Sequence, residues 1–251
     1  MVDFHTHILP HLDDGAKESR VSVAMLESEL AQGVSAVLCT PHFYGKRHTP
    51  ARFIERRNAA YEKLKDRIPQ GISVRLGAEV YFTGVNVLEE EDFCSLAIEG
   101  TKYVLVELPF DETWHGQILE KLSVLIADTG YIPIIAHVER YDEVRKNPEV
   151  LSKLVQMGCL IQVNAYAFLQ KKDKGLAFTL LKHGMVDCIG SDAHDMEIRR
   201  PNLAEAKTEI IAAGYGAEWE RIQENMRKIL QNEQVLNGAK TPIKKFLWWY
   251  F

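Results

Sequence analysis

The sequence predicts an α/β fold, a single-domain (β/α) barrel that spans residues 1–251. Short apolar runs alternate with amphipathic helical stretches along the whole chain. Several of these runs are continuously apolar, which is typical of parallel strands covered on both faces. Seven strand–helix units follow one another without a linker, repeat or low-complexity segment, and such a series favours a barrel over an open sheet.

The strand candidates share a short apolar run that ends beside polar residues. They are, in chain order, residues 2–8, 36–40, 73–80, 103–108, 132–137, 160–164 and 186–190. Their lengths are ordinary for strands of globular proteins.

Helix signals lie between these strands. Val23, Leu26 and Leu30 fall on one face of the first helix. Thr49 and Pro50 provide an N-cap followed by proline at the first helical position of the second helix. The segment Asn202-Leu203-Ala204-Glu205 resembles a capping box. The last helix has an apolar face formed by Trp219, Ile222, Met226, Ile229 and Leu230.

Composition excludes several classes of protein. The chain is 46% hydrophobic and 26% charged, and its formal net charge is −5, so nucleic acid is not favoured as a partner. No apolar run approaches the roughly 20 residues of a membrane span, and the N-terminus lacks the pattern of a signal peptide. We therefore expect a cytoplasmic protein with no transmembrane segment.

The four cysteines exclude one phosphatase chemistry. They are widely spaced and form no Cys-x-x-Cys pair, which indicates reduced, buried thiols. A cysteine-dependent tyrosine phosphatase requires an arginine six positions after its nucleophile. Those positions hold Gly45, Gly100, Ala165 and His194. Phosphatase activity would therefore need a different nucleophile.

Histidine and carboxylate residues follow nearly every strand candidate. These residues are His5, His7, His42, Glu79, Glu107, His137, Asp192 and His194. In a parallel barrel the carboxyl ends of the strands form the active-site face, so these side chains should converge. His5 and His7 should point the same way on a strand, as should Asp192 and His194 if the chain stays extended there. Buried carboxylates and imidazoles need compensation, which divalent cations supply. The mixture of ligands suits manganese, iron or zinc better than magnesium or calcium.

The same residues lie in motifs that resemble a known family. The motifs are His5-Thr6-His7, Asp13-Asp14-Gly15, Thr40-Pro41-His42, Gly77-Ala78-Glu79, Glu107-Leu108-Pro109-Phe110, Ala136-His137-Val138-Glu139-Arg140 and Ser191-Asp192-Ala193-His194. Together they resemble the metal-dependent tyrosine-protein phosphatases of the bacterial PHP (polymerase and histidinol phosphatase) superfamily, of the CpsB/YwqE type. The resemblance implies a distorted (β/α)7 barrel that holds three metal ions, usually Mn²⁺.

The resemblance also implies a role for each residue. The first metal would be held by His5, His7, Glu79 and Asp192. Glu79 would bridge to a second metal held by Glu107 and His137. The third would be held by His42, His194 and Asp14, with Asp13 as the alternative to Asp14. Arg140 and Arg199 would hold the phosphate, with Arg200 as the alternative to Arg199.

The function implied is manganese-dependent hydrolysis of phosphotyrosine by metal-activated hydroxide. The substrate would be the phosphotyrosine tail of a bacterial tyrosine kinase that controls capsular or extracellular polysaccharide synthesis. A small-molecule phosphatase of the histidinol-phosphate type and a non-catalytic module that binds phosphotyrosine or a kinase remain alternatives. The basic and aromatic tail, residues 240–251, would dock onto the barrel or another subunit in a homo-oligomer, or would contact a membrane surface or a kinase.

Overall fold

The computed structural model describes residues 1–83, 90–110, 114, 117–235, 240–243, 245–246 and 249–250. Its strands are β1 Val2–Thr6, β2 Ala36–Cys39, β3 His42–Phe43, β4 Ser73–Leu76, β5 Glu79–Tyr81, β6 Tyr103–Glu107, β7 Ile132–Ile135, β8 Leu160–Asn164, β9 Cys188–Gly190, β10 Lys245–Phe246 and β11 Trp249–Tyr250. Its helices are α1 Ser19–Ala31, α2 Pro50–Leu64, α3 Glu90–Ser95, α4 Gln117–Thr129, α5 Asp142–Lys146, α6 Val150–Gln156, α7 Lys171–Lys182, α8 Leu203–Ala212 and α9 Gly216–Leu230. Short 3-10 turns also occur at Lys65–Arg67, Val138–Arg140 and Ala165–Phe168.

The strands β1 to β9 form the parallel barrel that the sequence predicts. Strand β1 pairs with β2 and β2 with β4, while β3 pairs with β5 and the sheet continues in order through β6, β7, β8 and β9. The ring closes where the chain after β9 meets β1, because Asp192 N donates to His5 O (2.8 Å) and His7 N donates to Ala193 O (2.9 Å). The barrel therefore has seven strand positions, two of which are each formed by two short strands.

Those two positions are where the barrel is distorted. The predicted strand 36–40 stops at Cys39, and a separate two-residue strand begins at His42 after Pro41, which has no N–H to donate to a ladder. The predicted strand 73–80 likewise divides into β4 and β5 around Gly77 and Ala78. In the second strand of each pair, β3 and β5, His42 and Glu79 lie directly opposite each other in register. The breaks thus bring two metal-ligand candidates together.

One of the two predicted helix N-caps forms as expected. Thr49 accepts a hydrogen bond from Arg52 N (3.4 Å) and caps α2 as predicted. Asn202 stands at the N-cap of α8, but its side chain makes no capping hydrogen bond, and Gln32 Oε1 accepts from Ala204 N (3.0 Å) instead. The capping-box prediction is therefore wrong in its bonding, because the side chain of Gln32, the residue after α1, accepts a hydrogen bond from the Ala204 amide.

The buried face of α1 also differs from the predicted one. It consists of Ser22, Met25, Leu26 and Glu29, and Val23 and Leu30 are only partly buried. Helix α9 buries its predicted face, apart from a partly exposed Leu230. Glu29 carries a buried carboxyl group that the apolar pattern did not reveal.

The chain returns to the barrel after α9. Lys240 Nζ lies 2.5 Å from Asp187 Oδ2, and both side chains are buried. Thr241 N donates to His183 O (3.1 Å), and Ile243 is buried. Beyond this contact, β10 and β11 pair antiparallel. The other tail residues Lys244, Leu247, Trp248 and Phe251 lie outside the described residues. Across the described ranges, no helix is long and apolar enough to cross a membrane.

Candidate metal centre

The carboxyl ends of the strands bring all nine predicted ligands into one cluster. The cluster contains three groups of side chains, and within each group the ligand atoms lie within 4.8 Å of one another. The groups are His7, Asp14, His42 and His194; then His5, His7 and Asp192; then His42, Glu79 and Glu107. His137 joins the cluster through Glu79, since its Nε2 lies 2.7 Å from Glu79 Oε1.

Glu79 stands at the centre of the cluster. Its Oε2 lies 3.3 Å from the Nε2 atoms of both His5 and His7, and 2.9 Å from Nδ1 of His42. Its other oxygen faces His137. The two oxygens therefore point to different histidines, which is the arrangement a bridging carboxylate requires.

His5 and His7 point into the barrel together, as expected for alternate residues of a strand. Their Nε2 atoms are 3.1 Å apart, and both rings are buried. Space at this point depends on Gly190, where an added Cβ would lie 2.4 Å from His5 Cβ. Close contact between β1 and β9 thus fixes the position of His5.

Asp192 joins the metal-ligand candidates to the predicted phosphate-binding residues. Its Oδ1 lies 3.4 Å from His7 Nε2 and 3.6 Å from His5 Nε2. Its Oδ2 accepts from Arg140 Nη1 (3.2 Å) and lies 2.8 Å from Arg199 Nη2. The chain does not stay extended here, because Asp192 adopts a φ of 54° in the left-handed region, so the condition for Asp192 and His194 to point the same way along a strand is not met. This turn nevertheless leaves its carboxylate beside His194.

The structure distinguishes the two adjacent aspartates by their contacts. Asp14 Oδ1 lies 3.5 Å from His42 Nε2 and 3.4 Å from His194 Nε2. Asp13 instead lies behind the ligands, where Oδ2 is 2.8 Å from His7 Nδ1 and accepts from His42 N (2.9 Å). Burial opposes ionisation of Asp13, but the charge of His7 lowers the pKa of this carboxyl to about 2.

The two adjacent arginines also differ in their contacts. Arg199 reaches Asp192 and lies 3.6 Å from Asp14 Oδ2, whereas Arg200 pairs with Glu205 of α8 at 2.8 Å. Arg140 stacks over the ring of Phe110 at 4.8 Å. Arg140 and Arg199 therefore approach the cluster from one side, and Arg200 does not.

The donor set fits divalent ions. Within the described chain, one buried ring nitrogen each of His42, His137 and His194 makes no well-aligned hydrogen bond, and neither does Glu79 Oε2, although it lies 2.9 Å from His42 Nδ1. Burial would lower the pKa of His137, but Glu107 and Glu79 raise it to about 9. Burial would raise the pKa of Asp192, but His5, His7 and Arg199 hold it well below its usual range. Buried carboxylates beside imidazole nitrogens are ligands that manganese, iron and zinc accept.

Two residues of the site were not predicted from the sequence. Gln162 Oε1 accepts from His137 N (2.7 Å) and lies 3.3 Å from His5 Nδ1. Its amide donates to Asn164 Oδ1 (3.0 Å), and Asn164 Nδ2 donates to Asp192 Oδ2 (2.9 Å). The signal for these residues was the alternation of Gln162 and Asn164 along β8, which places two amides on one face of an otherwise apolar strand.

Comparisons with known proteins identify the family of this chain. Residues 1–231 match the family model for capsular polysaccharide synthesis, CpsB/CapC. The chain is 31% identical to the tyrosine-protein phosphatase YwqE of Bacillus subtilis, covering 98% of this chain and 97% of the relative. It is 30% identical to the tyrosine-protein phosphatase CpsB of Streptococcus pneumoniae, covering 94% of this chain and 100% of the relative.

Solved structures give the same result for the fold. A crystal structure from a study of YwqE and CpsB, described there as unique metal-dependent tyrosine phosphatases, superposes with a TM-score of 0.85 at 30% identity. That match covers 98% of this chain and 100% of the other. Histidinol phosphate phosphatase from Lactococcus lactis superposes with a TM-score of 0.52 at 19% identity, covering 85% of this chain and 94% of the other. The second likeness shows the barrel fold alone.

Proposed function

Because the chain belongs to the CpsB/CapC family of capsular polysaccharide synthesis, we propose that it hydrolyses phosphotyrosine on the tail of a bacterial tyrosine kinase that controls this synthesis. The broader activity, that of a metal-dependent tyrosine phosphatase, follows from the relatives and from the similar crystal structure. The observation that carries the proposal is the convergence of nine imidazole and carboxylate side chains beside two arginines.

The proposed centre holds three ions, and manganese is the first candidate. The first ion would be held by His5, His7, Glu79 and Asp192, the second by Glu79, Glu107 and His137, and the third by Asp14, His42 and His194. The two differently directed oxygens of Glu79 support its bridging role. The mixture of imidazole and carboxylate ligands supports manganese, with iron and zinc as the competing ions.

Divalent ions bound there supply positive charge for the phosphoryl group and lower the pKa of water to near neutrality. Asp192 holds Arg140 and Arg199 at the edge of the centre, through one oxygen. Each guanidinium has five N–H donors, so most remain for phosphoryl oxygens. The two arginines would therefore orient the phosphate and stabilise the negative charge that it carries during transfer.

The leaving group reduces the need for a proton donor. A tyrosine phenol has a pKa of about 10, so a phenolate leaves more readily than the alkoxide of serine. The histidines of the cluster are surrounded by carboxylates and are better placed to bind ions than to donate protons. The site should therefore favour phenolic esters on chemical grounds alone.

The proposal is tested by turnover after the protein is stripped of metal with EDTA and reloaded separately with Mn²⁺, Fe²⁺ or Zn²⁺. The substrates are a phosphotyrosyl peptide, a phosphoseryl peptide and histidinol phosphate. We expect EDTA to abolish hydrolysis, Mn²⁺ to restore it, and the phosphotyrosyl peptide to have the highest kcat/KM. A preference for histidinol phosphate would support the small-molecule alternative. Binding of the phosphotyrosyl peptide without turnover under any metal would support the non-catalytic alternative.

A further inference from the structure

A cavity of about 330 Å³ opens beside the proposed metal centre. Its lining includes Arg140, Asp192 and Arg199, together with Tyr166 and Ile198. Sites for small ligands have volumes of about 300–1,000 Å³. The cavity is thus of a size to receive one phosphorylated side chain rather than a long stretch of peptide.

The cavity is also lined by apolar side chains that lie outside the hydrophobic core. Ile198 is 82% exposed, which is the largest value among the exposed large hydrophobic side chains of the described chain, and Tyr166 is 46% exposed. Tyr166 lies in the turn Ala165–Phe168, in which Ala165, Ala167 and Phe168 are all buried. Tyr166 is therefore exposed between packed neighbours, and Ile198 is exposed on the loop that follows His194.

Ile198 lies on a loop that hydrogen bonds hold in one shape. Asp195 Oδ1 accepts from the backbone N–H groups of Glu197 (2.7 Å) and Arg199 (3.0 Å). His194 N donates to Arg199 O (2.8 Å), which closes the loop at its base. Arg199 reaches inward to Asp192, while the preceding side chain, Ile198, stays almost fully exposed. The loop therefore couples a phosphate-binding group to an apolar contact one residue away.

We infer that Ile198 and Tyr166 form the contact surface for the aromatic ring of a phosphorylated tyrosine whose phosphate binds Arg140 and Arg199. This inference rests on the proposed function and adds the residues that select the ring. An aryl ring that enters the cavity removes apolar surface of both side chains from water, whereas phosphoserine has no ring to do so. The surface thus adds a binding preference to the chemical preference for a phenolate leaving group.

The test uses two inhibitors that cannot be hydrolysed, methylphosphonate and benzylphosphonate. Their affinities for the manganese-loaded protein are measured by titration calorimetry. We expect the wild-type protein to bind benzylphosphonate more tightly. Ile198→Ser should reduce this preference about tenfold, in line with the loss of a small apolar contact, and should leave the affinity for methylphosphonate unchanged. Met196→Ser is the matched control, because Met196 is exposed on the same loop but lines a different cavity.

Variants at Tyr166 separate ring contact from hydrogen bonding. Tyr166→Phe should keep the preference for benzylphosphonate, and Tyr166→Ser should lose part of it. Equal weakening of both phosphonates in Ile198→Ser would overturn the inference, since it would mean that Ile198 acts only by positioning Arg199. An unchanged preference in both serine variants would overturn it as well.

The same measurements separate this inference from the proposed function. A ring preference that depends on Ile198 in a protein that does not hydrolyse phosphotyrosyl peptides would support the contact surface and refute the phosphatase. Normal hydrolysis by a wild-type protein that binds the two phosphonates equally would refute the contact surface alone.

Discussion

Replacing Gly190 with alanine tests whether the contact between β1 and β9 sets the position of His5. The added Cβ would lie 2.4 Å from His5 Cβ and 2.7 Å from His5 N, whereas ordinary contact begins at 3.4 Å. The difference of 3.4 − 2.4 Å requires a displacement of about 1 Å. A side chain cannot swing away to relieve it, because two of the nearest atoms belong to the backbone.

The expected cost has two parts. Overpacking in a filled core destabilises by about 1–3 kcal/mol. A shift of about 1 Å at a reacting centre lowers activity about 100-fold. Strand β1 carries both His5 and the chain leading to His7, so the displacement should also reduce the amount of bound metal. Stability, turnover and metal content should therefore fall together.

Gly175→Ala is the matched control. Gly175 lies in α7, and a Cβ added there would meet nothing within 4 Å. Alanine in a helix interior is favoured over glycine by about 0.5–1 kcal/mol, so this variant should be slightly more stable and fully active. The assays are urea unfolding, kcat/KM on an aryl phosphate with Mn²⁺, and metal content. Wild-type activity in Gly190→Ala would refute the argument that this contact positions His5.

Three further changes test separate parts of the site and core. Asp13→Asn should weaken Mn²⁺ binding about 10–100-fold, because Asp13 orients His7 from behind; unchanged affinity by calorimetry would contradict that role. Arg140→Ala should raise KM and lower kcat for an aryl phosphate while metal content stays near wild type, and loss of metal would show that Arg140 supports the ligands instead. Burial and the charge of Asp3 raise the pKa of Glu29 well above its usual value. A raised carboxyl pKa means that the folded state loses stability as pH rises above about 4.3, the pKa of an unperturbed glutamate. Because glutamine does not titrate, Glu29→Gln should gain stability relative to wild type between pH 5 and 8, as measured by urea unfolding. A difference in stability that does not change with pH would contradict this.

The convergence of the residues at the strand ends could be predicted from one rule. In a parallel barrel all carboxyl ends lie on one face, so His5, Glu107 and Asp192 had to converge once their strands were recognised. The breaks in two strands were less accessible to prediction. Pro41 interrupts one ladder, but the split around Gly77 is visible only when the register of His42 against Glu79 is known.

Other features depend on contacts between distant parts of the chain. Gln162 and Asn164 carry amides that occur in many strands, and their role arises from the positions of His137 and Asp192 on neighbouring strands. Gln32 satisfies an amide of α8 from a position in the chain far from that helix. Periodicity along a single element contains no information about such partners, which is why local patterns predict ligand candidates but not the groups that contact them from distant parts of the chain.

The chemistry of the ligands links ion binding to the integrity of the barrel. Burial opposes a charge on His137, but Glu107 and Glu79 raise its pKa to about 9, so a proton holds these side chains together when no ion does. Stability from that proton is fully present below the ordinary histidine pKa of 6.5 and is lost as pH rises to about 9. We expect a bound ion to replace the proton and to compensate the same carboxylates above that range. At low pH that proton therefore links His137 to Glu79 and Glu107 on neighbouring strands, and we expect a bound ion to make this link at high pH.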